Sequence, residues 1–351
     1  MKKILMIGSG KQVKGGISAL VENYFDSGLV DAHRVFYLDS HIDGSKTAKA
    51  IKFIQAAGKF FYYLFFTRID IVHVHSASRA SFYRKSFFLW AAKAFGRKSI
   101  FHLHGGEFGI FFHKECGRLR KWFIRKTLRT ADVLICLSGH WHRILSEITE
   151  ETGRIITLYN CVKEPSRRKA HREADEICVL FMGKLDRGKG VFDLIDAAGA
   201  LKSNGKKVRF ILCGDGERGA LEKAAADKQL SDRVVFPGWI KDKSAYYHMG
   251  DIFVLPSYNE GLPMVLIEAA SYGLPLVSTR VGGIPDIVVD ELNGFLVNPG
   301  DVGALKERIA ALADSAKLRQ DMGREGMRLV ARRFSTDAVT AKLSQIYESL
   351  V

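Results

Sequence analysis

The chain has 351 residues, enough for two domains with complete cores, and its 47% hydrophobic and 26% charged residues are those of a soluble globular protein. No uncharged run approaches the roughly 20 residues that span a bilayer, and the five cysteines show no paired spacing that would announce a disulfide framework. The net charge of +15 is unevenly placed: residues 1–170 carry +16 and residues 171–351 carry −1, which implies an anionic surface met by one half only.

The N-terminus, Met1-Lys2-Lys3-Ile4-Leu5-Met6-Ile7-Gly8, has basic residues before an apolar run. The run is too short for a signal peptide and reads as a first strand, 3–8. Further strands are predicted at 33–38, 69–75, 98–104, 132–137 and 155–159, with longer segments between them. A polar linker, 163–173, leads to a second series at 177–183, 207–213, 233–236, 251–256, 275–279 and 294–297. Strands interleaved with helices imply parallel sheets covered on both faces. The predicted class is therefore α/β, two Rossmann-like doubly wound domains facing a cleft, residues 1–165 and 172–334. Cys136, Cys178 and Cys213 fall inside strand runs and read as core thiols in a reducing compartment. In such folds ligands bind outside the carboxyl ends of the strands, and the motifs below all lie at such ends.

In the first half, Gly8-Ser9-Gly10 and then Gly15-Gly16 follow the first strand. Glycines let backbone approach a phosphate or sugar; a tight turn beneath a helix is an equal reading. The spacing is not Gly-x-Gly-x-x-Gly, and no acidic residue ends the second strand in the ribose-binding way, although Asp39 comes near. In Phe101-His102-Leu103-His104-Gly105-Gly106-Glu107, His102 and His104 share a strand face, and His73 and His75 repeat that spacing one strand earlier. A metal needs three or four converging ligands, so no metal is expected. His104 and Glu107 are the candidates for contacting a substrate hydroxyl, with Glu107 a candidate general base; His73, His75 and His102 read equally as satisfied core histidines. Residues 49–68, 79–98 and 108–129 interleave Lys and Arg with Phe, Tyr and Trp. That mixture suits the headgroup boundary of an anionic membrane, or else the aromatics face the core and the charges are solvated. No recognition motif for nucleic acid accompanies them.

In the second half, Lys184 and Lys189 sit five apart on the turn after strand 177–183 and can converge on a diphosphate, the alternative being a solvated basic turn. Gly214-Asp215-Gly216 and Pro237-Gly238-Trp239 end two further strands and could wall a nucleobase pocket, with Asp215 and Trp239 facing it; Trp239 alone reads as core. Glu260 and Glu268 are eight residues apart, the first before a helix N-terminus and the second expected on its third turn. Between them Gly261 and Leu262 offer backbone N–H groups where an anion can sit. Carboxylates can hold sugar or ribose hydroxyls, helix N–H groups a phosphate, and a nucleotide sugar carries all three. The chain has no Asp-x-Asp pair, the usual metal-dependent means of holding a sugar diphosphate.

Together, Gly15-Gly16, His104-Gly105-Gly106, Gly183-Lys184-Leu185 with Lys189-Gly190, Gly214-Asp215-Gly216 and above all Glu260 to Glu268 resemble glycosyltransferase family four, of the two-Rossmann GT-B fold, over nearly the whole chain. The His-Gly-Gly-Glu-Phe form with its basic aromatic segments is similar to bacterial exopolysaccharide glycosyltransferases that extend polyprenyl-diphosphate-linked oligosaccharides. The resemblance implies a metal-independent enzyme without cofactor that transfers a sugar from a nucleotide sugar with retention of configuration. Glu260 would hold donor-sugar hydroxyls, Glu268 the ribose, Lys184 and Lys189 the diphosphate, and His104 would sit at the sugar, with the Gly15-Gly16 turn approaching the diphosphate. It also implies a lipid-linked or other glycan acceptor, a cytoplasmic place on the inner face of the membrane, and a C-terminal helix, 335–351, packed back on the first domain. The family often has Arg at Lys184; lysine keeps the charge and loses the bidentate fork. A sugar-nucleotide epimerase on the same scaffold, and a non-catalytic basic protein that binds lipid or nucleic acid, are the alternative functions.

Overall fold

Each of the twelve predicted strands forms, with ends shifted by at most two residues. The computed structural model describes residues 1–10, 16–165 and 176–351; Gly15 lies outside them. The chain divides into two units, Met1–Lys163 with Phe334–Val351, and Glu164–Arg333.

The first unit holds β1 (Lys3–Gly8), β2 (Arg34–Asp39), β3 (Ile71–Ser76), β4 (Lys98–Leu103), β5 (Val133–Cys136) and β6 (Ile155–Thr157). They form one parallel sheet in the order β2-β1-β3-β4-β5-β6. The chain moves one way from β1 to β2 and the other way from β3 onward. Right-handed crossovers then put helices on both faces, so the central strands are apolar on both sides; β3 is buried along its whole length. Serine caps start several of the helices: Ser45 accepts from the Ala48 N–H, Ser138 from Trp141 and Ser335 from Ala338. A π-helical turn, Phe111–Glu115, follows the His104 loop.

The last helix, Thr336–Leu350, belongs to this first unit. Val162 pairs with Ser335 in a parallel bridge, and the Val162 N–H donates to the Phe334 carbonyl at 2.9 Å. Tyr347 from this helix is fully buried beside His73.

The second unit holds β7 (Ile177–Met182), β8 (Val208–Cys213), β9 (Val234–Gly238), β10 (Ile252–Leu255), β11 (Leu276–Thr279) and β12 (Gly294–Val297). Their order is β12-β11-β10-β7-β8-β9, all parallel. The direction of winding reverses between β7 and β10. A doubly wound sheet opens a crevice beyond the carboxyl ends of the strands at such a point. Here the loops that flank it are those carrying Lys184 and Lys189 after β7, and Glu260 after β10. Cys116, Cys136, Cys161, Cys178 and Cys213 are all buried free thiols.

Candidate functional site

Close backbone packing sets the site of the second unit. Gly190 has φ +67°, and a Cβ there would lie 2.1 Å from the Pro256 carbonyl oxygen. The turn after β7 therefore lies against the end of β10 only because this residue has no side chain. Gly282, with φ +54°, does the same from the β11 side: a Cβ would lie 1.8 Å from the Glu260 carbonyl oxygen. Asp186 caps the short turn Arg187–Lys189 by accepting from the Lys189 N–H at 3.0 Å.

Across the switch point Lys189 Nζ donates to Glu260 Oε1 at 2.6 Å, and Ser257 Oγ donates to the same oxygen at 2.7 Å. Glu260 is only 8% exposed, so the pairing offsets the cost of burying a carboxylate. Among the described residues both bonds end on Oε1, which leaves Oε2 for another donor. Lys184 does not converge with Lys189. Its side chain is exposed, and Nζ pairs with Asp186 Oδ2 at 2.9 Å, which raises its pKa. The two lysines predicted to meet on one anion are each held by a different carboxylate.

Glu268 lies on the second turn of the helix Met264–Ser271, not the third, because the helix starts only at Met264 after Pro263. Gly261 and Leu262 precede that helix; Leu262 is buried, and the Gly261 carbonyl accepts from the Gly283 N–H at 2.8 Å. The first helical N–H groups are those of Met264 and Val265. Glu268 receives Lys243 Nζ at 2.8 and 3.0 Å and the Tyr247 hydroxyl at 2.6 Å. Tyr247 is fully buried and stacks on Tyr272 with centroids 5.0 Å apart. Burial first and then the Glu268 charge push the Tyr247 pKa up, so its hydroxyl stays a donor. Lys243, Tyr247 and Ser257 were missed by sequence reasoning: Lys243 lies 25 positions from Glu268, and only the return of the chain through β10 joins them. Asp215 is exposed in the turn after β8 and Trp239 is 53% exposed after β9. Trp239 is thus not a core residue.

In the first unit, Gly16 starts the helix Gly16–Phe25. Beneath the Gly8 turn lies a residue counted in the sequence among the surface charges: Lys85 is 2% exposed. Its Nζ donates to the Gly8 carbonyl at 2.8 Å and to Ser40 Oγ, and burial holds its pKa well below the usual value. His104 follows β4, its N–H bonded to the Ser76 carbonyl at 2.8 Å. Its Nε2 lies 2.8 Å from His75 Nδ1, while His73 Nδ1 lies 2.7 Å from the Tyr347 hydroxyl and His73 Nε2 3.3 Å from His102 Nδ1. The rings stack: His73 on His75 at 4.3 Å and His75 on His104 at 5.1 Å. Ligand atoms of His73, His75 and His102 fall within 4.8 Å of one another. Within the group the rings are bonded to one another, His73 to His102 and His75 to His104, and a tetrahedral metal would need a fourth ligand besides His73, His75 and His102. Burial holds all four histidines neutral, lowering His73 and His104 to about 3 and the other two well below the usual value.

Glu107 is exposed and binds the guanidinium of Arg79, which also holds Glu115 at 2.6 Å. The basic aromatic segments divide. Phe60, Phe82, Phe88, Phe111 and Phe112 are core, whereas Tyr62, Phe65, Phe66, Leu119 and Trp122 are exposed. The helix Arg118–Thr130 has six basic residues and no acidic one. Arg118, Lys121, Trp122, Arg125, Lys126 and Arg129 line an open cavity of about 540 Å³ together with Thr130 and Glu150. Among the described residues no helix is long and apolar enough to cross a membrane.

Two six-stranded doubly wound sheets, one with a paired carboxylate site at its switch point, define a GT-B architecture. Sucrose-phosphate synthase from Thermosynechococcus elongatus superposes with a TM-score of 0.83 at 20% identity, covering 100% of this chain and 99% of that one. HepE of Anabaena, solved with UDP and glucose, gives 0.80 at 18% identity over 100% of both. The model "Glycosyl transferases group 1" matches residues 162–328 and "Glycosyltransferase Family 4" matches 25–164. The chain belongs to glycosyltransferase family 4. Among its relatives, the lipopolysaccharide core biosynthesis glycosyltransferase LpsE of Rhizobium meliloti is 33% identical over 59% of this chain and 58% of LpsE.

Proposed function

We propose that the protein transfers a sugar from a nucleotide sugar to a glycan acceptor, lipid-linked at the membrane surface, in polysaccharide synthesis, with retention of configuration and without a metal. One observation carries the reading. Glu260 and Glu268 project from one strand-loop-helix segment at the switch point, each with a lysine already bound. A nucleotide sugar presents complementary groups: hydroxyls that donate to the carboxylates, and a diphosphate that takes the ammonium charge. In this reading Glu260 Oε2 receives donor-sugar hydroxyls and Glu268 the ribose. Lys189 and the more exposed Lys184 turn toward the diphosphate, and Trp239 and Asp215 flank the base.

Negative charge grows on the diphosphate as the glycosidic C–O bond breaks. Fixed ammonium groups bind that charge more strongly than the ground state, which is how binding becomes rate. The acceptor hydroxyl attacks from the leaving-group side, with the departing phosphate helping to take its proton; His104 contacts the sugar. The metal-free reading is supported by the absence of an Asp-x-Asp pair from the sequence and by the ammonium groups that supply positive charge instead. The membrane reading is supported by the six cations and exposed Trp122 and Leu119 of Arg118–Thr130. The names of LpsE and of the UDP-bound HepE agree with a polysaccharide acceptor and a UDP-type donor.

The test is a panel of nucleotide sugars offered with and without lipid-linked oligosaccharide in EDTA. Transfer with inverted configuration, transfer only on adding a divalent cation, or release of an epimer without acceptor would each overturn part of the reading.

A further inference from the structure

The four-histidine stack contains an asymmetry that fixes a tautomer. His75 uses Nδ1 against His104 Nε2 at 2.8 Å. Its other nitrogen, Nε2, is buried and meets no hydrogen-bond partner among the described residues. Both rings are neutral, so each carries one proton and one of the two facing nitrogens must donate. If His104 donated from Nε2, His75 would carry its proton on the buried Nε2 as an orphaned N–H. If His75 donates from Nδ1, the orphan is only a bare lone pair, the better tolerated of the two. The rings around His75 are those of His73 at 4.3 Å, His102 at 5.0 Å and Tyr24 at 6.4 Å.

We infer that His75 is a positioning residue that locks His104 into the tautomer protonated on Nδ1, so that His104 meets its ligand as a neutral hydrogen-bond donor and not as a general base. This rests on the donor-site reading above and sharpens it. With Nε2 accepting from His75, the only group His104 has left to offer is the Nδ1 N–H. Its target is an acceptor oxygen of the nucleotide sugar, on the sugar ring or on the phosphate. His104 neither takes the acceptor's proton nor delivers one, which leaves that task to the departing phosphate. His75 does this from inside the sheet: it is 1% exposed and stacked between His73 and His104, so it touches no ligand.

The tautomer is read directly by long-range ¹H–¹⁵N correlation spectra of the whole chain without ligand, with His104→Gln to assign the ring. A protonated Nδ1 and an unprotonated Nε2 on His104 are expected; the reverse pattern overturns the inference. Calorimetry with UDP and with UDP-glucose then separates the two target oxygens. His75→Leu should weaken binding about tenfold, for UDP-glucose alone if the oxygen is on the sugar and for both probes if it is on the phosphate. His75→Asn, which returns an N–H near the same place, should stay within about threefold of wild type. Equal affinities for His75→Leu and His75→Asn would reduce His75 to packing and sink its positioning role. A wild-type chain that binds neither probe would remove the donor-site reading and the ligand half of this inference, while the spectrum judges the tautomer by itself.

Discussion

The two units have the same layers and a similar number of strands, yet they handle ionisable groups in opposite ways. The first sets four imidazoles side by side, His73 and His75 in β3, His102 in β4 and His104 just beyond it, and keeps them neutral. The second leaves its charges on and joins them in pairs, Lys189 with Glu260 and Lys243 with Glu268. Desolvation explains both. Imidazole gives up its proton at modest cost and can then hydrogen-bond within the core, whereas lysine and glutamate titrate far from neutrality and are most cheaply buried as partners.

Acid should separate the units most strongly. The folded-state pKa of His73 and His104 is lowered to about 3 from 6.5, so below pH 6.5 the unfolded chain binds protons that the folded chain refuses. Stability is therefore fully present above about 6.5 and is lost as the pH falls toward 3, by up to about 1.4 kcal/mol per pH unit for each such histidine. In a Trp239→Phe variant the remaining tryptophans, Trp90, Trp122 and Trp141, all lie in the first unit. Their fluorescence should show its urea midpoint falling steadily from pH 6.5 to 4; a flat midpoint would erase the contrast.

A smaller effect is expected from cutting one pair in the second unit. Lys189→Ala should lower kcat/KM by about 100-fold or more while circular dichroism stays native, since it removes charge stabilisation from the transition state. Full activity in the purified variant would show that the pair is only structural. Next comes Gly190→Ala, which places a Cβ against the Pro256 carbonyl and should cost about 1–3 kcal/mol in thermal unfolding, with donor affinity falling as well. The smallest effect concerns the first unit's surface. Each of Arg125→Gln and Lys126→Gln should weaken binding to phosphatidylserine vesicles by about 1 kcal/mol, with the loss shrinking as salt rises. Equal binding to neutral vesicles would remove the electrostatic part.

The strands were legible because a parallel sheet covered on both faces needs apolar runs four to six residues long, and few other structures do. The loop glycines and the Glu260–Glu268 spacing were legible too, since they sit immediately after such runs. Partnership was not. Lys184 and Lys189 look equivalent in the sequence, yet Asp186 takes one and Glu260 the other. Lys85 looks like one more surface cation and is buried under Gly8. Lys243 carries no local signal at all.

Local pattern and composition thus decided the strands, the two series, the glycine turns and the basic excess of the first half, because each depends on neighbours within a few residues. Strand order, and with it the switch point between β7 and β10, was settled only by the folded sheet. So were the histidine stack and the partner of every lysine. Hydrogen bonds and burial are set by distances in space, and a residue 71 positions away, as Glu260 is from Lys189, is adjacent only after the chain has wound back.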